Sequence, residues 1–245
     1  MIHLNSNELV EIVKYITSTV DVTKFMFISK KVREILKTYT YNPFPITPQI
    51  FFDVFPHIKE INIWNKEDCN FFIDYEIFEA FQNVEFNLLF QVDFKTATEI
   101  REYLGNNFQF KKVCFTSNDV KEFGYKFDQF QQNITITIIN DLCFEYRTSL
   151  GEINLPKSLI RLGKACFSNC IGLTELYLPQ HIICIDNNCF YNCSNLISIS
   201  IPSEVTCIGE SCFENCSSLK RVQFNRLIKL FSLYRLLRNI SIEKL

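Results

Sequence analysis

Among the 245 residues of this chain, the side chains best equipped for chemistry are eleven cysteines. Six of them fall in pairs, Cys166/Cys170, Cys189/Cys193 and Cys212/Cys216. A Cys-x-x-x-Cys pair can offer two thiolates to zinc, and two such pairs brought together would complete a tetrahedral site. Each pair, however, brackets the same neighbours: Phe167 and Asn169, Phe190 and Asn192, Phe213 and Asn215. Such periodicity accounts for the spacing without a metal, and buried thiols pack as small hydrophobes in tight core columns. The cysteines are therefore expected to be core thiols, with no metal and no cofactor. Cys184 and Cys207 also stack one repeat apart, and would be open to oxidation if exposed.

Acid–base and nucleophilic chemistry finds less support. Only three histidines occur, His3, His57 and His181, with no signature around any of them. Neither a Gly-rich phosphate loop nor a Gly-x-Ser-x-Gly elbow is present. No catalytic residue is assigned, and an enzyme is not expected. Asn169, Asn192 and Asn215 are expected to satisfy main-chain groups that a tight turn leaves unpaired.

A repeat positions these residues. Pro156, Pro179 and Pro202 lie 23 residues apart, and Leu162/Ile185/Ile208 and Leu173/Leu196/Leu219 recur at the same offset as the cysteines. A strict period of this length marks a solenoid. Within a unit, Leu176 and Leu178 alternate with Glu175 and Tyr177, so a short strand buries one set and presents the other. Proline then ends the strand, having no N–H to donate. A second extended piece follows, as at 182–185 or 205–208, and then one short helical turn carrying the Cys-Phe-x-Asn-Cys group. Gly163 and Gly209, with Asp186 in the middle copy, fall where a sharp bend is expected. One unit cannot bury its own leucines and phenylalanine. Stacked units share a core, in which Phe167, Phe190 and Phe213 form a ladder. The outward strand residues Glu175, Tyr177, Ser198, Ser200, Arg221 and Gln223, continued upstream by Glu152 and Asn154, are the candidate partner-binding face. Tyr and Arg are favoured at interface hot spots.

The pattern Leu-Pro…Ile-Gly-x-x-Cys-Phe-x-x-Cys-x-x-Leu-x-x-Leu over 155–224 resembles the BspA-like leucine-rich repeat family, found in bacteria and protists. That resemblance implies an α/β solenoid: a right-handed leucine-rich-repeat superhelix with a parallel sheet, used to bind other molecules and carrying no enzymatic activity.

The flanks are less regular. Residues 4–40 read as two helices, with apolar stripes at Leu9, Ile12, Val13, Ile16 and at Phe25, Ile28, Val32, Ile35. The order Leu4…Glu8-Leu9…Ile12…Asp21…Lys24-Phe25…Ile28-Ser29-Lys30 looks like a divergent F-box, with Asn5 where that family usually has proline. This second resemblance implies docking on the adaptor subunit of a cullin-type ubiquitin ligase; the alternative is a helical N-terminal cap. Between 44 and 133 the repeat looks eroded. Residues 55–63 and 78–86 match at the 23-residue period. Strands are expected near 110–115 and 134–138, and inserted helices at, for instance, 96–104. Cys143-Phe144 with Leu150 and Ile153 marks one degraded copy. Leu227, Leu230, Phe231, Tyr234 and Leu237 share one face of a basic helix over 226–238, expected as a C-terminal cap or, alternatively, a membrane-surface contact. The expected division is 1–42 cap or F-box-like, 43–154 degenerate repeats, 155–224 regular repeats and 225–245 cap.

Composition sets the outer limits. Hydrophobic residues make up 47% of the chain, ample for a buried core. A net charge of −2 gives no basic face for nucleic acid. The sequence lacks an apolar run long enough for a transmembrane helix. Its N-terminus lacks the basic and apolar regions of a signal peptide, so a reducing compartment, the cytoplasm or nucleus, is expected. The function expected is an intracellular scaffold that binds a protein partner through the sheet surface. The alternatives are an F-box-like substrate receptor and a surface-associated adhesin.

Overall fold

Strand-length runs of alternating apolar residues, each too short to persist alone, must pair with equivalent runs in neighbouring coils. The computed structural model describes residues 30–44, 54–67, 83–130 and 134–224, with positions 11, 12, 15 and 24. The chain divides into two compact units, Met1–Gln91 with Glu99–Lys111, and Val92–Thr98 with Lys112–Leu245. The first of the two expected N-terminal helices and most of the second, the F-box-like pattern and the helix expected at 226–238 lie outside the described residues.

In the first unit, helix α1 (Lys30–Leu36) buries Val32 and Leu36. Strand β1 (Glu60–Ile63) runs parallel to β2 (Glu85–Asp93), with Ile61 opposite Phe86 and Ile63 opposite Leu88. That offset is 25 residues, not the 23 expected from matching 55–63 to 78–86. Val84, Phe86 and Leu88 are all buried, and a slip of two residues keeps the same set of side chains inside. Asn42 takes the place of a strand partner: its Nδ2 donates to Asn62 O at 2.7 Å and its Oδ1 accepts from Asn62 N at 2.6 Å. The helix expected at 96–104 is present as α2 (Phe94–Leu104), which crosses the division between units after Thr98, and the strand at 110–115 as β3 (Phe108–Phe115), which crosses it after Lys111. Arg101 on α2 donates to Phe108 O at 2.8 Å and lies 5.3 Å from the Phe110 ring centre.

In the second unit, α3 (Ser117–Phe123) was not anticipated from the sequence. It opens with a capping box, in which Thr116 Oγ1 accepts from Asp119 N and Asp119 Oδ2 accepts from Thr116 N at 2.7 Å. The other Asp119 oxygen accepts from Lys95 N at 3.0 Å. Phe94 packs among Phe115, Phe123 and Phe130.

From there the chain coils: β4 (Ile136–Ile139), β5 (Arg161–Leu162), β6 (Glu175–Tyr177), β7 (Cys184–Ile185), β8 (Ser198–Ile201), β9 (Cys207–Ile208) and β10 (Arg221–Phe224). They sort into two parallel ladders. In one, β4, β5, β7 and β9 follow the end of β3; in the other, β8 lies between β6 and β10. The register slips once, where Val113 faces Ile136 but Cys114 faces Ile138. Beyond that slip, Ile139, Leu162, Ile185 and Ile208 stand in one column. The fold is thus an α/β repeat solenoid, and the second extended piece of each unit is itself a ladder.

The Cys-Phe-x-Asn-Cys segment is not the helical turn expected. Alternate amides point to the next coil: Ala165, Phe167 and Asn169 donate to the carbonyls of Asn187, Cys189 and Tyr191 at 2.8–2.9 Å. The intervening Cys166, Ser168 and Cys170 donate back within their own coil. A helix would have directed all of these amides along the chain and left the coils unpaired. To reverse direction residue by residue, the backbone enters the left-handed region at two columns, Leu142/Ala165/Asn188/Ser211 and Tyr146/Asn169/Asn192/Asn215, with φ between 50 and 62°. Asn tolerates that region better than most residues. This, rather than satisfaction of the main chain, explains the recurrent asparagine. Their side chains bond to other side chains instead, Asn192 Nδ2 donating to Asn169 Oδ1 at 2.7 Å and Asn215 Nδ2 to the Tyr191 hydroxyl at 3.1 Å.

Glycine is likewise present for a different reason from the one expected. Gly163 and Gly209 do not have positive φ; a Cβ at Gly209 would lie 2.2 Å from Asn187 N, and one at Gly163 2.6 Å from Asp141 N. The preceding coil approaches too closely for any side chain. Inside, the expected aromatic ladder is present and one ring longer: Phe144, Phe167, Phe190 and Phe213 stack at 5.0, 5.6 and 5.3 Å with nearly parallel planes.

Candidate functional site

The three-stranded ladder decides where the candidate residues point. Leu176 and Ile199 are buried, so their neighbours on either side in β6 and β8 face outward. Because the strands are parallel and in register, the outward residues form two straight rows. Glu175, Ser198 and Arg221 make one, and Tyr177, Ser200 and Gln223 the other. All six line one shallow concavity of about 160 Å³ floored by Leu176 and Ile199. Tyr177 is 76% exposed, and its hydroxyl donates to Glu175 Oε2 at 3.3 Å. Glu175 and Arg221 stand two strands apart, roughly 10 Å at ordinary strand spacing. Upstream, Glu152 and Asn154 are exposed and alternate with buried Ile153 and Leu155 as expected, but this stretch is not a strand.

A larger cavity of about 570 Å³ shares Tyr177 with the sheet face. It lies along the Leu155-Pro156 and Leu178-Pro179 corners, with Phe127 and Phe130 also in its lining. The sequence offered the two Leu-Pro corners as a signal. It offered none for Phe127 and Phe130, which lie in an irregular stretch with no period to align.

The paired cysteines diverge. The second of each pair donates its S–H to a phenylalanine carbonyl one coil back, Cys170 to Phe144, Cys193 to Phe167 and Cys216 to Phe190, each at 3.1 Å. The first column stacks thiol on thiol, with Cys166 and Cys189 sulfurs 3.4 Å apart. Burial pushes Cys170 and Cys216 up to about 12 and raises Cys143, Cys189 and Cys193 as well. A thiol held protonated is a poor metal ligand, since zinc binds the thiolate. Among the described residues, no group of three or more His, Cys, Asp or Glu side chains converges as a metal site. His181 is exposed, with Nδ1 3.4 Å from Glu204 Oε2. Among the described residues, no helix is long and apolar enough to cross a membrane.

A family model described as a BspA type leucine rich repeat region matches residues 109–243 in six copies, more than half of the chain. The match begins within the stretch expected to be degenerate and runs past Phe224. No curated protein matches the sequence. Among solved structures, a leucine-rich repeat protein from Bacteroides capillosus is 28% identical over 37% of this chain and 64% of its own, with a TM-score of 0.34. A leucine rich cell surface protein from Faecalibacterium prausnitzii is 18% identical over 72% of this chain and 34% of its own, with a TM-score of 0.38. The T. pallidum leucine rich repeat protein is 16% identical over 76% and 84%, with a TM-score of 0.35. The chain thus spans less than two thirds of the first two.

Proposed function

The chain belongs to the BspA-type leucine-rich repeat family, and from that premise we propose that it is a non-catalytic scaffold binding a protein partner through the outer face of β6, β8 and β10. One observation carries the reading: six outward residues from three coils stand in two rows on one concave face. The inward positions are nearly identical from coil to coil because the stack requires it. The outward rows, Glu-Ser-Arg and Tyr-Ser-Gln, are free of that requirement and differ at every step. Variation confined to a rigid face is what recognition of a single partner needs. Tyr177 supplies a large rigid anchor, and Glu175 and Arg221 set the charge pattern that a partner must complement. The scaffold works where thiols persist, because the S–H donors to Phe144, Phe167 and Phe190 would be lost on oxidation.

Photo-crosslinking tests this. A benzophenone amino acid is placed singly at Tyr177, at Gln223 and, as a control, at exposed Lys164 in the turn segment. In extract from the native cell, the same protein adduct is expected from Tyr177 and Gln223 and not from Lys164. An adduct from Lys164 alone, or none from the sheet positions, removes the assigned face.

A further inference from the structure

Cys184 and Cys207 are unlike the other cysteines. Eight of the ten described cysteines are buried, whereas Cys207 is exposed and Cys184 half-buried. The two are direct register partners on β7 and β9, in a parallel ladder where side chains of paired residues share a face. Paired strands stand about 4.8 Å apart, inside the Cα separation of roughly 4.4–6.8 Å that a disulfide spans. Their backbones are held by Thr206 and Cys207 amides donating to Ile183 O at 2.9 and 3.2 Å. We propose that Cys184 and Cys207 form a reactive dithiol site that takes low-molecular-weight disulfides and closes into a disulfide between two adjacent coils.

The steps are those of thiol–disulfide exchange. The accessible Cys207 thiolate attacks one sulfur of a small disulfide RSSR. The S–S bond of the reagent breaks, a Cys207–SR mixed disulfide forms and RS⁻ leaves. Cys184 gives its proton to water and attacks the Cys207 sulfur, expelling the second RS⁻ and forming the Cys184–Cys207 bond. Two protein thiols are oxidised, and RSSR is reduced to two thiols. Cys184 is the later of the two to react. Burial, then the neighbouring Cys207 thiol and the Asp186 carboxylate, push it up to about 12. Arg161, the next residue in this outward column, keeps its guanidinium on Asp186 with Nε 2.8 Å from Oδ2. Closeness alone does not make such a site: the Cys166 and Cys189 sulfurs are 3.4 Å apart but shut inside the core.

The test uses the full chain carrying Cys69→Ser, treated in native buffer with the aryl disulfide dithiobis(nitrobenzoate). Two equivalents of thionitrobenzoate are expected to be released per chain, leaving no adduct, a mass lower by two hydrogens and a peptide map that joins Cys184 to Cys207. Adding Cys184→Ser should stop the reaction at one equivalent, with the adduct retained on Cys207; adding Cys207→Ser should reduce release to background. Circular dichroism melts check that each variant is folded. An adduct retained on Cys207 when Cys184 is present overturns the proposal. So does reaction of the core cysteines in folded chain, or release unchanged by Cys207→Ser.

Discussion

At the scale of single residues, the columns of the repeat divide by the physical demand each meets. Phe190 sits in the middle of the ring stack, and its replacement by Ala should cost about 3–5 kcal/mol in urea denaturation. Tyr146 stands in the left-handed column occupied by Asn in the next three coils, is 67% exposed and has φ 58°. Tyr146→Asn should therefore stabilise the chain, by about 1 kcal/mol, the lower end of the cost of that conformation for an ordinary residue. The core thiols impose a pH dependence. Burial raises the folded pKa values of Cys143, Cys170, Cys189, Cys193 and Cys216, Cys170 and Cys216 to about 12, while an unfolded cysteine titrates near 8.5. Above about pH 8.5 the unfolded chain gives up protons that the folded chain keeps, so stability falls as pH rises. Each thiol contributes a slope of up to about 1.4 kcal/mol per pH unit. Urea midpoints measured from about pH 7 to 10 should drop, and Cys193→Ala should flatten the drop; a pH-independent midpoint would contradict the burial of these thiols. The columns themselves were legible in the sequence, but the reasons for Gly209 and Asn192 were not. A period shows that a residue is required, not whether a close approach or a left-handed φ requires it.

Among the elements, legibility followed the length of the pattern. The strands β6, β8 and β10 were readable because apolar alternation recurs in all three at the 23-residue period, with Pro179 and Pro202 marking the ends of the first two. The turn segment was misread as helical because its hydrogen bonds go to the next coil, a long-range partner that local spacing cannot reveal. The pairing of β1 with β2 was misplaced by two residues, since a two-residue slip in an alternating strand leaves the buried face unchanged. Helix α3 was missed although Thr116-x-x-Asp119 is a legible capping signal. That cap also joins two elements, because Asp119 holds the amides of both Thr116 and Lys95. Thr116→Ala should cost about 1 kcal/mol, the usual loss of one capping side chain. Asp119→Ala should cost more, roughly 2 kcal/mol, because it takes the acceptor from half-buried amides at two helix starts rather than one. Equal losses in thermal melts of the two variants would mean that the link to Lys95 carries no weight.

At the largest scale, residues 134–224 are a stack of interchangeable frames bearing a variable outer face. Interchangeability has a direct consequence. Removing residues 179–201, one 23-residue period, joins Leu178 to Pro202 and returns every later column to register. That chain should still unfold cooperatively at a somewhat lower temperature, having lost one interface between neighbours. Removing one residue fewer puts each later leucine on the wrong face and should abolish the transition. The candidate face was legible because its positions are fixed by the strands that bury their neighbours; its partner was not, because an outward row carries no periodic constraint to read. The most direct test of that face is the yield of the adduct captured from Gln223 with and without Tyr177→Ala. Exposed Tyr177 contributes little to folding, so the melting temperature should stay the same while the yield falls about tenfold or more, as for a hot-spot anchor. An unchanged yield from an equally stable variant would contradict the assignment of the sheet face as the binding surface.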